Sequence, residues 1–66
     1  MPPKIRELRS MLLRAGFQER RGKGSHRHFV HELLRGRLTL SGQLGDDAKR
    51  YQVVLVREAL EDVNDK

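Results

Sequence analysis

The sequence predicts an α+β fold, an αβββα sandwich in which a three-stranded antiparallel sheet carries both helices on one face. Three observations predict it. Apolar residues recur at helical spacing near both ends of the chain, three short runs of strand length lie between them, and glycines mark the boundaries. Sixty-six residues make room for one small domain, taken as residues 1–66. A fold of this size buries only about 60% of the surface its unfolded chain exposes, so its margin of stability is thin. Leu, Ile, Val and Phe supply eighteen of the 66 residues. That is above the roughly 20% below which a highly charged chain stays disordered.

The first helix rests on Ile5, Leu8, Met11, Leu12 and Ala15, which share one stripe, with Arg6, Glu7, Arg9, Ser10 and Arg14 outside it. Pro3 suits a first helical turn, where the missing N–H costs nothing. Gly16 suits the left-handed residue that ends a helix, with Phe17 folding back on the last turn. These signals predict a helix over about residues 3–15. Next come Phe17–Arg21 and His26–His31, separated by Gly22-Lys23-Gly24-Ser25, a hairpin signal; Arg37–Ser41 follows Gly36 with period-two alternation. The inner face of this sheet is predicted to hold Phe17, Phe29, Leu38 and Leu40. On that phasing Arg27 and His31 lean with Phe29, and His26, His28 and Val30 point the other way. Residues 41–45 form a loop, and Asp46 or Asp47 caps the second helix. Ala48, Tyr51, Leu55, Val56, Ala59 and Val63 share a broad face of that helix, with Val54 nearly opposite. Both helices then pack on the same side of the sheet.

Composition excludes several classes of function. With no cysteine, disulfides, thiolate metal sites and a cysteine nucleophile fall away together. The longest apolar run, Val53–Val56, is far short of the ~20 residues of a membrane span. The Met1-Pro2-Pro3-Lys4 start lacks the apolar stretch of a signal peptide, so a cytoplasmic location is expected. Charge is the positive signal. The formal net charge is +5, and it is uneven: residues 1–37 carry ten Lys/Arg against three Glu, and residues 38–66 carry four against six Asp/Glu. One sign concentrated on part of a surface points to a polyanion, nucleic acid before membrane. A solvated basic face with no ligand is the alternative.

The densest cationic stretch is Lys23-Gly24-Ser25-His26-Arg27-His28, with Arg20 and Arg21 just across the turn. A glycine turn flanked by cations approaches a phosphate with backbone N–H groups and side chains together. Histidine is the side chain whose ordinary pKa suits proton transfer near neutrality. These residues suit binding RNA and removing the proton of a ribose 2′-hydroxyl, which then attacks the adjacent phosphate without any metal. The plainer alternatives stand beside that reading. His26 also fits an ordinary exposed strand histidine, and His31 a packed or edge histidine with one satisfied nitrogen. His26 and His28 have the spacing of a strand-borne metal pair, but no third ligand stands out nearby. Lys23 and the arginines are phosphate clamps or solvated charge. No Ser/His/Asp spacing and no phosphate-loop glycine motif is present.

Leu12-Leu13-Arg14-Ala15-Gly16-Phe17 followed by Lys23-Gly24-Ser25-His26-Arg27-His28-Phe29-Val30-His31 resembles the HicA toxin family. The stretch from Leu38 to Gln52 looks like that family's third strand, loop and second-helix start. The resemblance covers nearly the whole chain, and the agreement of order with spacing makes it more specific than Gly-Ser-His alone. It implies a double-stranded-RNA-binding-domain-like fold and a ribonuclease that cleaves mRNA and so inhibits translation. It maps the family's catalytic histidine onto His26, implies no metal or organic cofactor, and implies a HicB-type antitoxin that covers the site. Three functions are carried forward. The first is a metal-independent endoribonuclease toxin with His26 as catalytic base, and His28 as a second proton-transfer or phosphate-contacting group. Here RNA is held on the outer sheet face by Arg20, Arg21, Lys23, Gly24, Ser25 and Arg27. The second is a non-catalytic RNA-binding module of the same fold. The third is an interaction protein using Leu33, Leu34 and Val54, apolar residues outside the expected core that are also the candidate antitoxin contacts.

Overall fold

The computed structural model describes residues 1–65; Lys66, the last residue of the expected domain, lies outside them. The element order is α1 (Ile5–Arg14), β1 (Gln18–Arg21), β2 (Arg27–Val30), β3 (Leu38–Leu40) and α2 (Arg50–Asn64). The three strands form one antiparallel sheet in chain order, as expected. Ile5, Leu8 and Leu12 of α1 meet Val56 and Ala59 of α2 over Phe17, Phe29 and Leu40, all buried. Both helices therefore cover the same sheet face.

Helix α1 ends as its sequence dictates. Gly16 takes φ +95°, a conformation glycine adopts without a Cβ penalty. The Phe17 N–H then donates to the Leu12 carbonyl at 3.0 Å, and the Gly16 N–H to Leu13 at 3.1 Å. This paired pattern is a Schellman motif, and its apolar contact joins Phe17 to Leu12, both buried. The start differs from expectation. Pro3 lies outside the helix, and the free N–H groups of Ile5 and Arg6 donate to the Asp46 and Leu44 carbonyls at 2.9 and 3.1 Å. The loop before α2 thus caps α1.

Helix α2 starts at Arg50, later than an Asp46 or Asp47 cap requires. Asp46 Oδ2 accepts from the Gln43 N–H at 3.0 Å, inside the loop, and Asp47 pairs with Lys4 at 2.6 Å. Gln52 supplies the missing cap. Its Oε1 accepts from the Lys49 N–H at 2.8 Å and its Nε2 donates to the Ser41 carbonyl at 3.0 Å. This buried amide, 3% exposed, fixes the rotation of α2 against the end of β3. In consequence the buried stripe of α2 is Gln52, Val56 and Ala59, with Val53, Leu60 and Val63 half-buried behind it. Tyr51 and Leu55, expected on the core face, are 55% and 40% exposed, and with Val54 at 42% they form an outward apolar patch. A three-stranded sheet is too narrow to cover the broader face.

Candidate active site

Register across the sheet sorts the charged residues onto two faces. Arg21, Arg27 and Leu40 lie in one row, and Glu19, Phe29 and Leu38 in the next, all facing the helices. Arg20, His28 and Thr39 form a row on the outer face. The cations expected together on the outer face are therefore divided, with Arg20 outside and Arg21 and Arg27 on the helix side.

The β1–β2 connection places His26. Its N–H donates to the Lys23 carbonyl at 3.0 Å, closing a tight turn, and the Gly22 N–H donates back to the His26 carbonyl at 3.1 Å. Gly24 is the first central residue of that turn at φ +57°, where glycine is the usual choice. Below the turn, the Ser25 hydroxyl oxygen accepts from the Gly42 N–H at 3.3 Å, tying it to the loop after β3. The turn holds His26 just outside the strand, with its Cβ still on the outer side, where a Cβ on Gly22 would meet both it and the His28 ring. His26 stands at the edge of the outer face near His28, and it also lines a recess with Arg9, Glu19, Arg21, Gly24, Arg27 and Leu44. The recess has a volume of about 410 Å³.

The His26 ring is held in one useful orientation. Its Nδ1 lies 3.1 Å from the Lys23 carbonyl oxygen. A carbonyl only accepts, so Nδ1 carries the proton, and in the neutral ring Nε2 is left as the basic nitrogen. The floor of the recess is an ion-pair network in which Glu19 takes Arg9 Nε at 2.8 Å and Arg27 Nε at 3.2 Å. Arg9 and Glu19 were invisible as site residues in the sequence. Arg9 belongs to the solvent side of a helical stripe, and Glu19 is one charge among many in β1. Only the register that sets Glu19 beside Phe29 brings both to the recess.

The other histidines have different positions. His28 is on the outer face, its Nδ1 hydrogen-bonded to the Thr39 hydroxyl at 2.8 Å, and it does not line the recess. His31, expected as a packed or edge histidine with one satisfied nitrogen, is half-buried with both nitrogens engaged. The Leu33 N–H donates to Nδ1 at 3.1 Å, and Nε2–H donates to the Ala15 carbonyl at 3.2 Å. Its ring stands edge-on to Phe17, centroids 5.0 Å apart. Of the apolar contact candidates, Leu33 and Val54 are exposed, and Leu34 is half-buried against the core. Among the described residues no helix is long and apolar enough to cross a membrane.

Comparison with known proteins gives one result. A family model described as HicA toxin of bacterial toxin–antitoxin systems matches residues 5–62, from the first residue of α1 almost to the end of α2. No significant match is found among curated proteins or among solved structures. With nearly all of its length matched, including the turn that carries His26, the chain belongs to the HicA toxin family and is the toxin partner of an antitoxin.

Proposed function

We propose that this toxin is a metal-independent endoribonuclease that cleaves mRNA at the recess beside the Gly22–His26 turn. The observation that carries the proposal is the hydrogen bond from His26 Nδ1 to the Lys23 carbonyl, which leaves Nε2 as the basic nitrogen of an exposed histidine that lines a cationic recess. Nε2 takes the proton of a ribose 2′-hydroxyl, and O2′ forms a bond to the adjacent phosphorus. The bond from phosphorus to O5′ then breaks, and the departing oxygen takes a proton from solvent. Lys23, Arg21 and Arg27 hold phosphates around the turn, and Arg20 extends the positive surface onto the outer face. The backbone of Gly24 gives a phosphate close approach, and Ser25 holds the turn in place through Gly42. His28 supports the turn from the outer face.

The antitoxin, by this proposal of HicB type, silences the enzyme by covering the recess. The apolar patch of Tyr51, Val54 and Leu55 on α2, together with the exposed Leu33, supplies the further contact surface. The test is incubation of wild type and His26→Ala with single-stranded mRNA in EDTA, with products resolved on a gel. Wild type should cleave and the variant should lose about 10²–10⁴-fold in rate, the usual worth of general base help. Salt-sensitive RNA binding by both proteins with cleavage by neither would favour a non-catalytic RNA-binding module.

A further inference from the structure

Glu19 occupies a position that an apolar residue would ordinarily take. It sits opposite Phe29 on the side of β1 that faces the helices. Its two carboxylate oxygens are divided between two elements, Oε1 to Arg9 Nε in α1 and Oε2 to Arg27 Nε in β2. The three side chains are between 23% and 38% exposed, and ion pairs this open to water contribute little to stability. What the network does achieve is geometric. Arg9 Nε donates to Glu19 and Arg27 Nε pairs with it at 3.2 Å, and no terminal Nη of either guanidinium hydrogen-bonds Glu19. Among the described residues the only partner of those Nη groups is the Gly42 carbonyl, 3.4 Å from Arg27 Nη1. The paired terminal N–H groups of a guanidinium match two oxygens of a phosphate. Two guanidinium groups around one carboxylate keep a net positive charge, and Arg21 lines the same recess.

We infer that Arg9 and Arg27 form a single seat for the scissile phosphodiester beside His26, and that Glu19 is the positioning residue that sets their spacing. The inference rests on the ribonuclease reading and adds α1 and the start of β1 to the site. Negative charge builds on the phosphate oxygens as O2′ attacks, and donors already fixed in place stabilise that charge without reorganising. The carboxylate of Glu19 does not meet the phosphate. Both of its oxygens are occupied by the guanidinium groups that do.

The experiment has two arms. In the first, inorganic phosphate is titrated into the intact protein while the arginine Nε–H signals are followed by ¹⁵N NMR. The Arg9 and Arg27 signals should move together along one binding curve, and Glu19→Gln should weaken that binding several-fold. Shifts confined to other arginines would overturn the seat, and this arm needs no catalytic activity. In the second, steady-state RNA cleavage by Arg9→Ala and by Glu19→Ala should show kcat lower by about 10²-fold, with KM changed far less. The double variant should be no worse than the poorer single one, because the two residues act as a unit. Glu19→Asp should recover part of the loss, and Arg9→Lys, which keeps the charge without the fork, should remain at least about tenfold slow. Wild-type kcat in Arg9→Ala and Glu19→Ala, alongside a silent His26→Ala, would overturn the seat and leave the ribonuclease reading intact. If the wild type itself fails to cleave RNA, the ribonuclease reading fails and the phosphate titration alone decides the seat.

Discussion

Two glycines hold imidazole rings where they are, each by leaving room for one. A Cβ built on Gly16 would stand 3.3 Å from His31 Nε2, on a backbone at φ +95°. Gly16→Ala therefore strains the end of α1 and crowds the ring that donates to Ala15. The left-handed backbone alone costs about 1–2 kcal/mol. For a domain of this size each kcal/mol lowers the melting temperature by about 4–8 °C, which calorimetry will show. A Cβ on Gly22 would lie 2.7 Å from His28 Nε2 and 3.1 Å from His26 Cβ. Gly22→Ala should therefore push His28 away from Thr39 and tilt the His26 turn. The expected result is a loss of RNA cleavage larger than the loss of stability, read by comparing initial rates with the denaturation midpoint. Wild-type rates in a folded Gly22→Ala protein would show that His28 has no part in supporting the turn. Neither packing was legible in the sequence, where both glycines served only as punctuation.

At the scale of elements, α2 shows how much periodicity settles and what it leaves open. Spacing alone identifies a helix with an apolar side, but it gives Leu55 and Val56 equal claims to the core. The tie is broken by Gln52, whose amide bonds Lys49 and Ser41 and so turns Val56 inward and Leu55 outward. Leu55→Ser should accordingly change stability by no more than about 0.5 kcal/mol. Val56→Ser, placing a hydroxyl in a fully buried site, should cost about 1–3 kcal/mol in urea denaturation. Similar losses from the two substitutions would contradict the rotation assigned to α2. The strands tell the same story at shorter range. Alternation correctly placed Phe29, Leu38 and Leu40 inside and His28 outside, because those residues lie within paired strands. His26 lies just outside β2, in a turn closed by hydrogen bonds across residues 22–26, with its Cβ still on the side of His28. Periodic signals end where the ladder ends, and this site begins one residue beyond it.

Across the whole molecule, the basic first half of the chain supplies α1, β1, β2 and the turn, and these surround the recess. The acidic balance of the second half is shared between the loop before α2 (Asp46 and Asp47 against Lys49) and α2 itself, whose apolar patch faces away from the core. The charge asymmetry was plain in the sequence, and so was the histidine at its centre. The partnership of α1 with the recess was not, since it depends on a register that brings Glu19 between Arg9 and Arg27. If RNA lies across this surface, affinity must fall with salt as phosphates shed their counterions. For single strands each neutralised phosphate contributes about 0.7 to the slope of log affinity against log salt. Binding of RNA by His26→Ala should show a slope of roughly −2 to −4, and adding Lys23→Ala should reduce its magnitude by about 0.7. A slope unaffected by Lys23→Ala would remove that residue from the RNA surface.

The chemistry assigned to His26 has a direct signature in the ends of the fragments. Attack by the 2′-hydroxyl forms a bond from O2′ to phosphorus and expels O5′. Mass spectrometry of the products of a short RNA cleaved in EDTA should therefore find a 2′,3′-cyclic phosphate on one fragment and a 5′-hydroxyl on the other. A single 2′-deoxy substitution at the cleaved position should abolish the cut. Fragments ending in a 3′-hydroxyl and a 5′-phosphate, or cleavage that survives the 2′-deoxy substitution, would contradict the account.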